Sequence, residues 1–169
     1  MPEPVLVDTN VILEAHRTSS WRALRGGLRL ETVEECVVET QTGAQMRKPE
    51  QRIDEAMLRA DLKAVHNVPA LQRATALARD EFLMFLDAGE RALWCHAIGR
   101  SDAWILCSPD TTSLRLGVRL GLSERLVALE DLLGKVGHSS KIPLRKNYGS
   151  LWHRQTVARI ASEEGGRAI

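Results

Sequence analysis

The chain has 169 residues, of which 44% are hydrophobic and 27% are charged, and its formal net charge is +1. These values are typical of a globular protein with a sizeable core, and they give the molecule as a whole no strong attraction to polyanions. No apolar run approaches the roughly 20 residues that a membrane span needs. No basic-then-apolar leader opens the chain. We therefore expect a cytoplasmic protein with no membrane contact.

The cysteines and histidines show no pattern of a metal or redox site. Cys36, Cys95 and Cys107 are odd in number and widely spaced, which favours buried thiols in a reducing compartment over disulfides or zinc ligands. The five histidines also lack the spacing of a catalytic triad or zinc cluster, and we expect core or surface roles for them: His16, His66, His96, His138 and His153.

Apolar runs alternate with helical patterns along the chain, which predicts βα units and a mainly parallel sheet in an α/β fold. The predicted strands are Val5–Val7, Leu28–Val33, Val65–Val68, Trp104–Cys107 and Leu126–Leu129. The predicted helices are Val11–Arg25, Glu34–Thr42, Glu50–Ala64, Ala70–Phe85, Gly89–Gly99, Thr111–Leu120, Glu130–Val136 and Ser150–Glu163.

The predicted elements divide the chain into a main domain, residues 1–137, and a C-terminal extension, residues 138–169, made of a loop and a helix packed on the same domain. The segment 141–159 carries five lysines and arginines, and no acid follows until Glu163. This basic segment suits either contact with phosphates or a solvated helix face.

Two acids stand in equivalent places, each between an apolar strand and a helix. Asp8 closes the strand that begins at Val5, and Asp110 follows the strand that ends at Cys107. The carboxyl ends of parallel strands share one edge of a sheet, where ligands bind in open α/β folds. Capping of the helix that follows is the structural alternative for each residue.

Further acids are expected at the same edge. Glu39 lies a little over one turn into the helix after the second strand. Asp87 and Glu90 precede and begin another helix, with the three-residue spacing of a capping box, so a purely structural role is the alternative for this pair.

Carboxylates gathered without matching lysines or arginines need protons or a cation. Oxygen ligands without cysteine or histidine favour Mg²⁺ or Mn²⁺ over zinc. Such an ion can polarise a phosphodiester and generate hydroxide from water. The acids therefore indicate metal-assisted phosphodiester hydrolysis.

The ordered motifs resemble those of PIN-domain nucleases, which include VapC-like toxins of type II toxin–antitoxin pairs. The resemblance covers roughly residues 4–136 and consists of Val5-Leu-Val-Asp-Thr-Asn10, an acid after the second strand, Gly89-Glu90-x-x-Leu93 and Ser108-Pro-Asp110-Thr-Thr. It implies a three-layer α/β/α sandwich with a short central sheet. It also implies an endoribonuclease that uses Mg²⁺ or Mn²⁺, a small antitoxin partner and a homodimer.

The resemblance also assigns roles to individual residues. Asp8, Glu39, Glu90 and Asp110 correspond to the four catalytic acids, and Asp8, Glu90 and Asp110 are the expected metal ligands. The supporting residues are Asn10, Thr9, Thr111 and Asp87, the last as the alternative to Glu90 for the third acidic position. Many members carry a further acid where this chain has Thr111, so we expect one bound ion. Arg17 and Arg22 are candidates to hold substrate phosphates, with plain solvation as the alternative.

Two other functions remain open at this stage. The missing acid at Thr111 and the long extension suit a catalytically weak or inactive PIN-like module that binds RNA or protein. A small phosphohydrolase with Asp8 as phospho-acceptor is the other alternative, although that class usually has a second aspartate where this chain has Asn10.

Overall fold

A five-stranded parallel sheet forms the centre of the protein, in a computed structural model that describes residues 2–43, 49 and 52–166. The strands are β1 (Val5–Val7), β2 (Leu30–Val33), β3 (Ala64–His66), β4 (Ile105–Cys107) and β5 (Leu126–Val127), in the spatial order β3-β2-β1-β4-β5. Each pair of neighbours is parallel. The predicted α/β class with a mainly parallel sheet is therefore confirmed.

Helices connect the strands and cover both faces of the sheet. In the described part of the chain they are α1 (Thr9–Arg17), α2 (Trp21–Gly27), α3 (Glu34–Gln41), α4 (Glu55–Asp61), α5 (Ala70–Arg79), α6 (Ala88–Ile98), α7 (Thr111–Arg119), α8 (Leu129–Lys135) and α9 (Ser150–Gly165). None of these described helices combines the length and the apolar character needed to cross a membrane.

The core consists of two apolar clusters, one on each face of the sheet. Val5 and Val7 pack in one cluster with the residues of α1, α2 and α8, whereas Leu6 packs in the other with those of α6 and α7. Alternation of side chains along a strand divides the apolar residues in this way, and burial on both faces is typical of parallel strands. The arrangement is that of a three-layer α/β/α sandwich.

The order in which successive strands are added across the sheet reverses between β1 and β4. From β1 the chain proceeds outward through β2 and β3 on one side, and it then returns to β4 and β5 on the other. Such a reversal opens a crevice outside the carboxyl ends of the two strands. At the carboxyl ends of β1 and β4, the Asp8 N–H donates to the Cys107 carbonyl over 3.2 Å.

The first predicted helix is wrong in its length, because the structure has two helices where one was expected. The Thr18 hydroxyl donates to the Glu14 carbonyl and to the Ser20 hydroxyl, and Ser19 has a φ of 57°. Short hydroxyl side chains compete with helical hydrogen bonds in this way. The chain therefore turns between α1 and α2.

Several other predicted elements are shorter than expected. The last strand, predicted over Leu126–Leu129, ends at Val127, because Leu129 begins α8. Strand β3 ends at His66 because its neighbour β2 ends at Val33, so Asn67 and Val68 have no strand to pair with. The helix that starts at Ala70 ends at Arg79, where Asp80 is extended and its carboxylate caps a short 3₁₀ turn by accepting from the Phe82 N–H.

The predicted helix over residues 50–64 is only partly within the described residues, since residues 50 and 51 lie outside them. The structure places α4 over Glu55–Asp61, with Asp54 as its N-cap. The Asp54 carboxylate accepts from the Met57 N–H over 2.9 Å.

The C-terminal extension contacts the main domain at several points. Helix α9 packs against α7 and inserts Ile160 into the second apolar cluster. Arg115 of α7 pairs with Glu163 and Glu164 of α9. Before α9, the Pro143 carbonyl accepts from Arg17 over 2.9 Å.

Trp94 is the largest fully buried side chain of the second cluster, so its removal tests the packing of α6 on the sheet. Its indole N–H donates to the Ser113 hydroxyl of α7 over 2.8 Å. We expect Trp94→Ala to lower the free energy of unfolding by about 3–5 kcal/mol, measured by urea denaturation. Leu71→Ala, at a side chain on α5 that is 79% exposed, is the control and should leave the midpoint unchanged. An equal midpoint for both variants would contradict the described packing.

Candidate metal centre

Asp8 lies at the crevice between β1 and β4, at the carboxyl end of the central strand. It is the N-cap residue of α1, and only 1% of it is exposed to solvent. Its Oδ2 atom is buried and has no hydrogen-bond partner in the described part of the protein. A buried carboxylate oxygen without a partner is costly, because the charge has left water without compensation.

The surroundings of Asp8 favour the protonated form. Burial and the negative charge of Asp87 raise its pKa to about 7, with Glu39 adding to the effect, while the N–H groups of Thr9 and Asn10 act in the opposite direction. Asp87 and Glu39 are therefore both close enough to Asp8 to act on its charge.

Glu90 stands in the first turn of α6 and shares this environment. It is 3% exposed, and the Ser108 hydroxyl donates to its Oε1 over 3.4 Å. Burial raises its pKa to about 9, and the charges of Asp8, Asp110 and Asp87 contribute in that order. Side chains from two strand–helix connections and from the start of α6 thus lie at one edge of the sheet, which we call the acidic edge: Asp8, Asp87, Glu90 and Asp110.

Two members of the acidic edge also cap helices, which was the alternative role that the sequence offered for them. The Asp87 carboxylate accepts from the Glu90 N–H over 2.9 Å. Asp110 accepts from the Thr112 N–H over 2.7 Å and from the Ser113 N–H over 3.3 Å. Each of these bonds involves only Oδ1, so capping leaves Oδ2 of both residues for another role.

Glu39 connects three helices beside the acidic edge. Its Oε1 accepts from the Gly89 N–H over 2.8 Å, and its Oε2 accepts from the Thr9 hydroxyl over 2.7 Å. A side chain on Gly89 would overlap the Glu39 carboxylate, which explains the glycine at that position. Thr9 therefore supports the site by orienting Glu39.

The other candidate residues are placed less centrally. Asn10 is exposed, and its carbonyl accepts from the Tyr148 hydroxyl over 3.2 Å. Thr111 is the first residue of α7 and is half-buried. Tyr148 and Ser108 were not predicted; a serine two residues before Asp110 was a signal that could have been followed.

Arg17 and Arg22 lie away from Asp8. Arg17 is at the last turn of α1, roughly 12 Å along the helix from its start. Its guanidinium is occupied by the Glu14 carboxylate at 2.6 and 2.8 Å. Arg22 is exposed and lines a groove of about 540 Å³ beside α2 and α4. The placement does not favour either residue as a phosphate ligand at the acidic edge.

The carboxylates share an edge without converging tightly. Within the described residues, the group whose ligand atoms all lie within 4.8 Å of one another is Glu31, His66 and His96, on the sheet and α6. No three acids of the acidic edge meet that distance there. A cation bound at this edge would have to draw the oxygens closer together.

The sequence spacing gave no sign of a histidine cluster, but the fold brings His66 and His96 together. Their rings stack with centroids 3.9 Å apart, and His66 Nε2 lies 2.8 Å from Glu31 Oε2. The sequence did not reveal this group because it depends on β3 pairing with β2 and on the packing of α6 across them.

Comparison of the chain with protein-family models, with curated proteins and with solved structures found no match in any of the three. The resemblance to PIN-domain nucleases consequently remains a hypothesis. Its support comes from the motifs and from the geometry of the acidic edge.

The raised pKa values of Asp8 and Glu90 predict how stability depends on pH. The folded state of the metal-free protein holds protons on these two residues up to about pH 7 and about pH 9, whereas the unfolded chain releases them near the ordinary values of 3.8 and 4.5. The free energy of unfolding should therefore fall as pH rises through this interval. Asp8→Asn should remove the Asp8 part and raise stability at pH 8, by on the order of a few kcal/mol at most.

The free energy of unfolding is measured by urea denaturation in the presence of a chelator, at pH values from 4 to 9 in steps of roughly one unit. Asp54→Asn is the matched control, because Asp54 also caps a helix but is exposed, and asparagine caps equally well. An Asp8→Asn protein that is less stable than the unmodified chain at pH 8, with the same pH dependence, would refute the prediction.

Proposed function

We propose that this chain is a metal-dependent endoribonuclease of the PIN-domain type, which hydrolyses RNA phosphodiester bonds with Mg²⁺ or Mn²⁺ bound at the acidic edge. The observation that carries the proposal is the contrast between the buried carboxylates of this protein. Glu14 and Glu31 are neutralised by arginines, whereas Asp8 and Glu90 of the acidic edge are not.

Glu14 and Glu31 show how the chain stabilises a buried carboxylate with a structural role. Each is 1% exposed. Glu14 pairs with Arg17 and Arg145, and Glu31 pairs with Arg29 and Arg100. Burial acts to raise the pKa of both, but the hydrogen bonds and positive charges outweigh it, so both pKa values are lowered.

Asp8 and Glu90 are buried to a similar degree as Glu14 and Glu31. Within the described residues, however, neither of them has an arginine or lysine as a partner. Both pKa values are raised instead. The same chain thus leaves two interior carboxylates uncompensated at the crevice where α/β folds bind ligands. A divalent cation satisfies that arrangement, and oxygen donors suit Mg²⁺ or Mn²⁺.

The residues of the edge divide the work as follows. Asp8, Glu90 and Asp110 would hold the ion, while Thr9 and the Gly89 N–H fix Glu39 beside them. The ion, when bound, supplies a polarising charge and lowers the pKa of water. Asp8 and Glu90 must release their protons to become ligands, so we expect metal affinity to fall as pH drops below neutrality.

The remaining parts of the proposal come from the resemblance alone. They are RNA as the substrate, a small antitoxin as partner and a homodimer. They stay predictions, as do the assignment of a single ion and the cytoplasmic location that composition and the cysteine pattern led us to expect.

The test combines Mn²⁺ binding with RNA cleavage. We expect the unmodified chain and Asp54→Asn to bind Mn²⁺ in calorimetric titration and to cleave single-stranded RNA. Asp8→Asn should remain folded, lose measurable Mn²⁺ binding and lose at least about 99% of cleavage, since removing one electrostatic partner of a reacting group costs about a hundredfold or more.

The possible failures have different meanings. Undiminished cleavage by Asp8→Asn would refute the assignment of the site. A folded, unmodified protein that gives no heat with millimolar Mn²⁺ would favour the inactive binding module. A stable beryllofluoride adduct on Asp8 would favour the phosphohydrolase.

A further inference from the structure

A second cluster of ligating side chains lies on α6 and its neighbouring strands, away from the acidic edge. Its members are Glu31 of β2, His66 of β3 and His96 near the end of α6. Along α6, His96 is six residues from Glu90, which is roughly 9 Å of helix. Glu31 is buried, while both histidines are half-buried, so solvent reaches the group from the histidine side.

Arg100 already places a positive charge inside this cluster. Its Nη1 donates to Glu31 Oε2 over 2.7 Å and lies 3.0 Å from His96 Nε2. Arginine can only donate, so His96 Nε2 is the unprotonated nitrogen and directs its lone pair towards the cation. Glu31 Oε2 and the lone pair of His96 Nε2 thus both face the guanidinium of Arg100.

The other contacts of these residues allow that cation to be exchanged. Nε and Nη2 of Arg100 bind both oxygens of Asp102 at 2.8 and 2.7 Å, and the Asp102 side chain is 52% exposed. Arg100 therefore keeps a two-point partner at the surface if its Nη1 leaves the interior. Glu31 Oε1 keeps Arg29, whose Nε lies 2.8 Å away.

We propose that Glu31, His66 and His96 form a binding site for Zn²⁺, which enters by displacing Nη1 of Arg100. Two imidazoles and one carboxylate are a donor set that zinc accepts with bond lengths of about 2.0–2.2 Å, leaving a fourth position for water. The ligand atoms already lie within 4.8 Å of one another, so small side-chain rotations bring them to a common ion. The bound ion would tie β2, β3 and α6 together.

The displacement step explains why the donor set must include nitrogen. An incoming ion has to replace the Arg100 contacts to Glu31 and His96. His66 Nε2 donates to Glu31 Oε2, so its proton must also move, and the ring then carries it on Nδ1. Mg²⁺ prefers oxygen and retains its water, so it gains little from two imidazoles. Zinc binds imidazole well and can offset the loss of the arginine contact.

The experiment is a calorimetric titration of the chelator-treated full chain with Zn²⁺, together with thermal unfolding with and without the ion. We expect one Zn²⁺ per chain at this site and a rise in the unfolding temperature. His66→Ala and His96→Ala should each weaken binding by at least about tenfold, since even outer partners of metal ligands contribute that much. His138→Ala, outside the cluster, should bind as the unmodified chain does.

Arg100→Gln separates the proposed exchange from a simple site. Removal of the competing charge should tighten Zn²⁺ binding, and weaker binding would overturn the displacement step. The Asp8→Asn background identifies the location, because Zn²⁺ bound at the acidic edge would be lost there, whereas the cluster should bind unchanged. If the unmodified chain takes up no Zn²⁺, or if both histidine variants bind as tightly as it does, the group is only an ion-pair network and the proposal is wrong.

Discussion

A carboxylate removed from water must gain a proton, a fixed positive charge or a metal ion, and the centre of this fold depends on that constraint. Asp8 cannot move to the surface, because its N–H bonds to the Cys107 carbonyl and its position ends the central strand. The strand order therefore fixes a titratable oxygen in the interior. Everything gathered around the crevice either adds to its negative charge or holds it in place.

Helix starts make the acidic edge tolerable without a cation. Asp8, Asp87 and Asp110 each occupy the N-cap of a helix, and Glu90 lies in a first turn. The positive ends of three helix dipoles thus point at the same region and favour negative charge there. Partial charges of about half a unit per helix do not balance several carboxylates, which agrees with the raised pKa values of Asp8 and Glu90.

The sequence predicted that acids would lie at this edge of the sheet, because their placement depends mainly on the order of neighbouring residues along the chain. An apolar strand followed by an acid and a helix, as at Asp8 and Asp110, gives the same placement wherever the strands are parallel. The break after α1 was missed because the apolar periodicity continues through it, while the hydroxyl of Thr18 decides the turn. The pairing of Glu14 with Arg17 was not predicted, although the two residues stand three apart on one helix face.

What the sequence did not predict depends on which strands become neighbours. His66 meets Glu31 only because β3 adds next to β2, and His96 reaches both only because α6 crosses that pair. Neither histidine stands in a motif, and the spacing between them suggests nothing. Long-range placement of this kind needs the topology first.

The two clusters on α6 show opposite solutions to the same problem. Around Glu31, arginines compensate the charge, and the lone pair of His96 Nε2 faces the guanidinium of Arg100. Around Asp8 and Glu90, the available metal-ligand atoms are oxygens. Within the described residues no arginine or lysine neutralises these two carboxylates, so their negative charge is removed by protonation. Hard divalent ions prefer oxygen donors and need no arginine to leave, whereas an ion at Glu31 must bind nitrogen strongly enough to replace a guanidinium. Under the two proposals, the donor chemistry would keep two kinds of cation apart on one helix. Proton release would control access to the acidic edge, and displacement of Arg100 would control access to the site at Glu31.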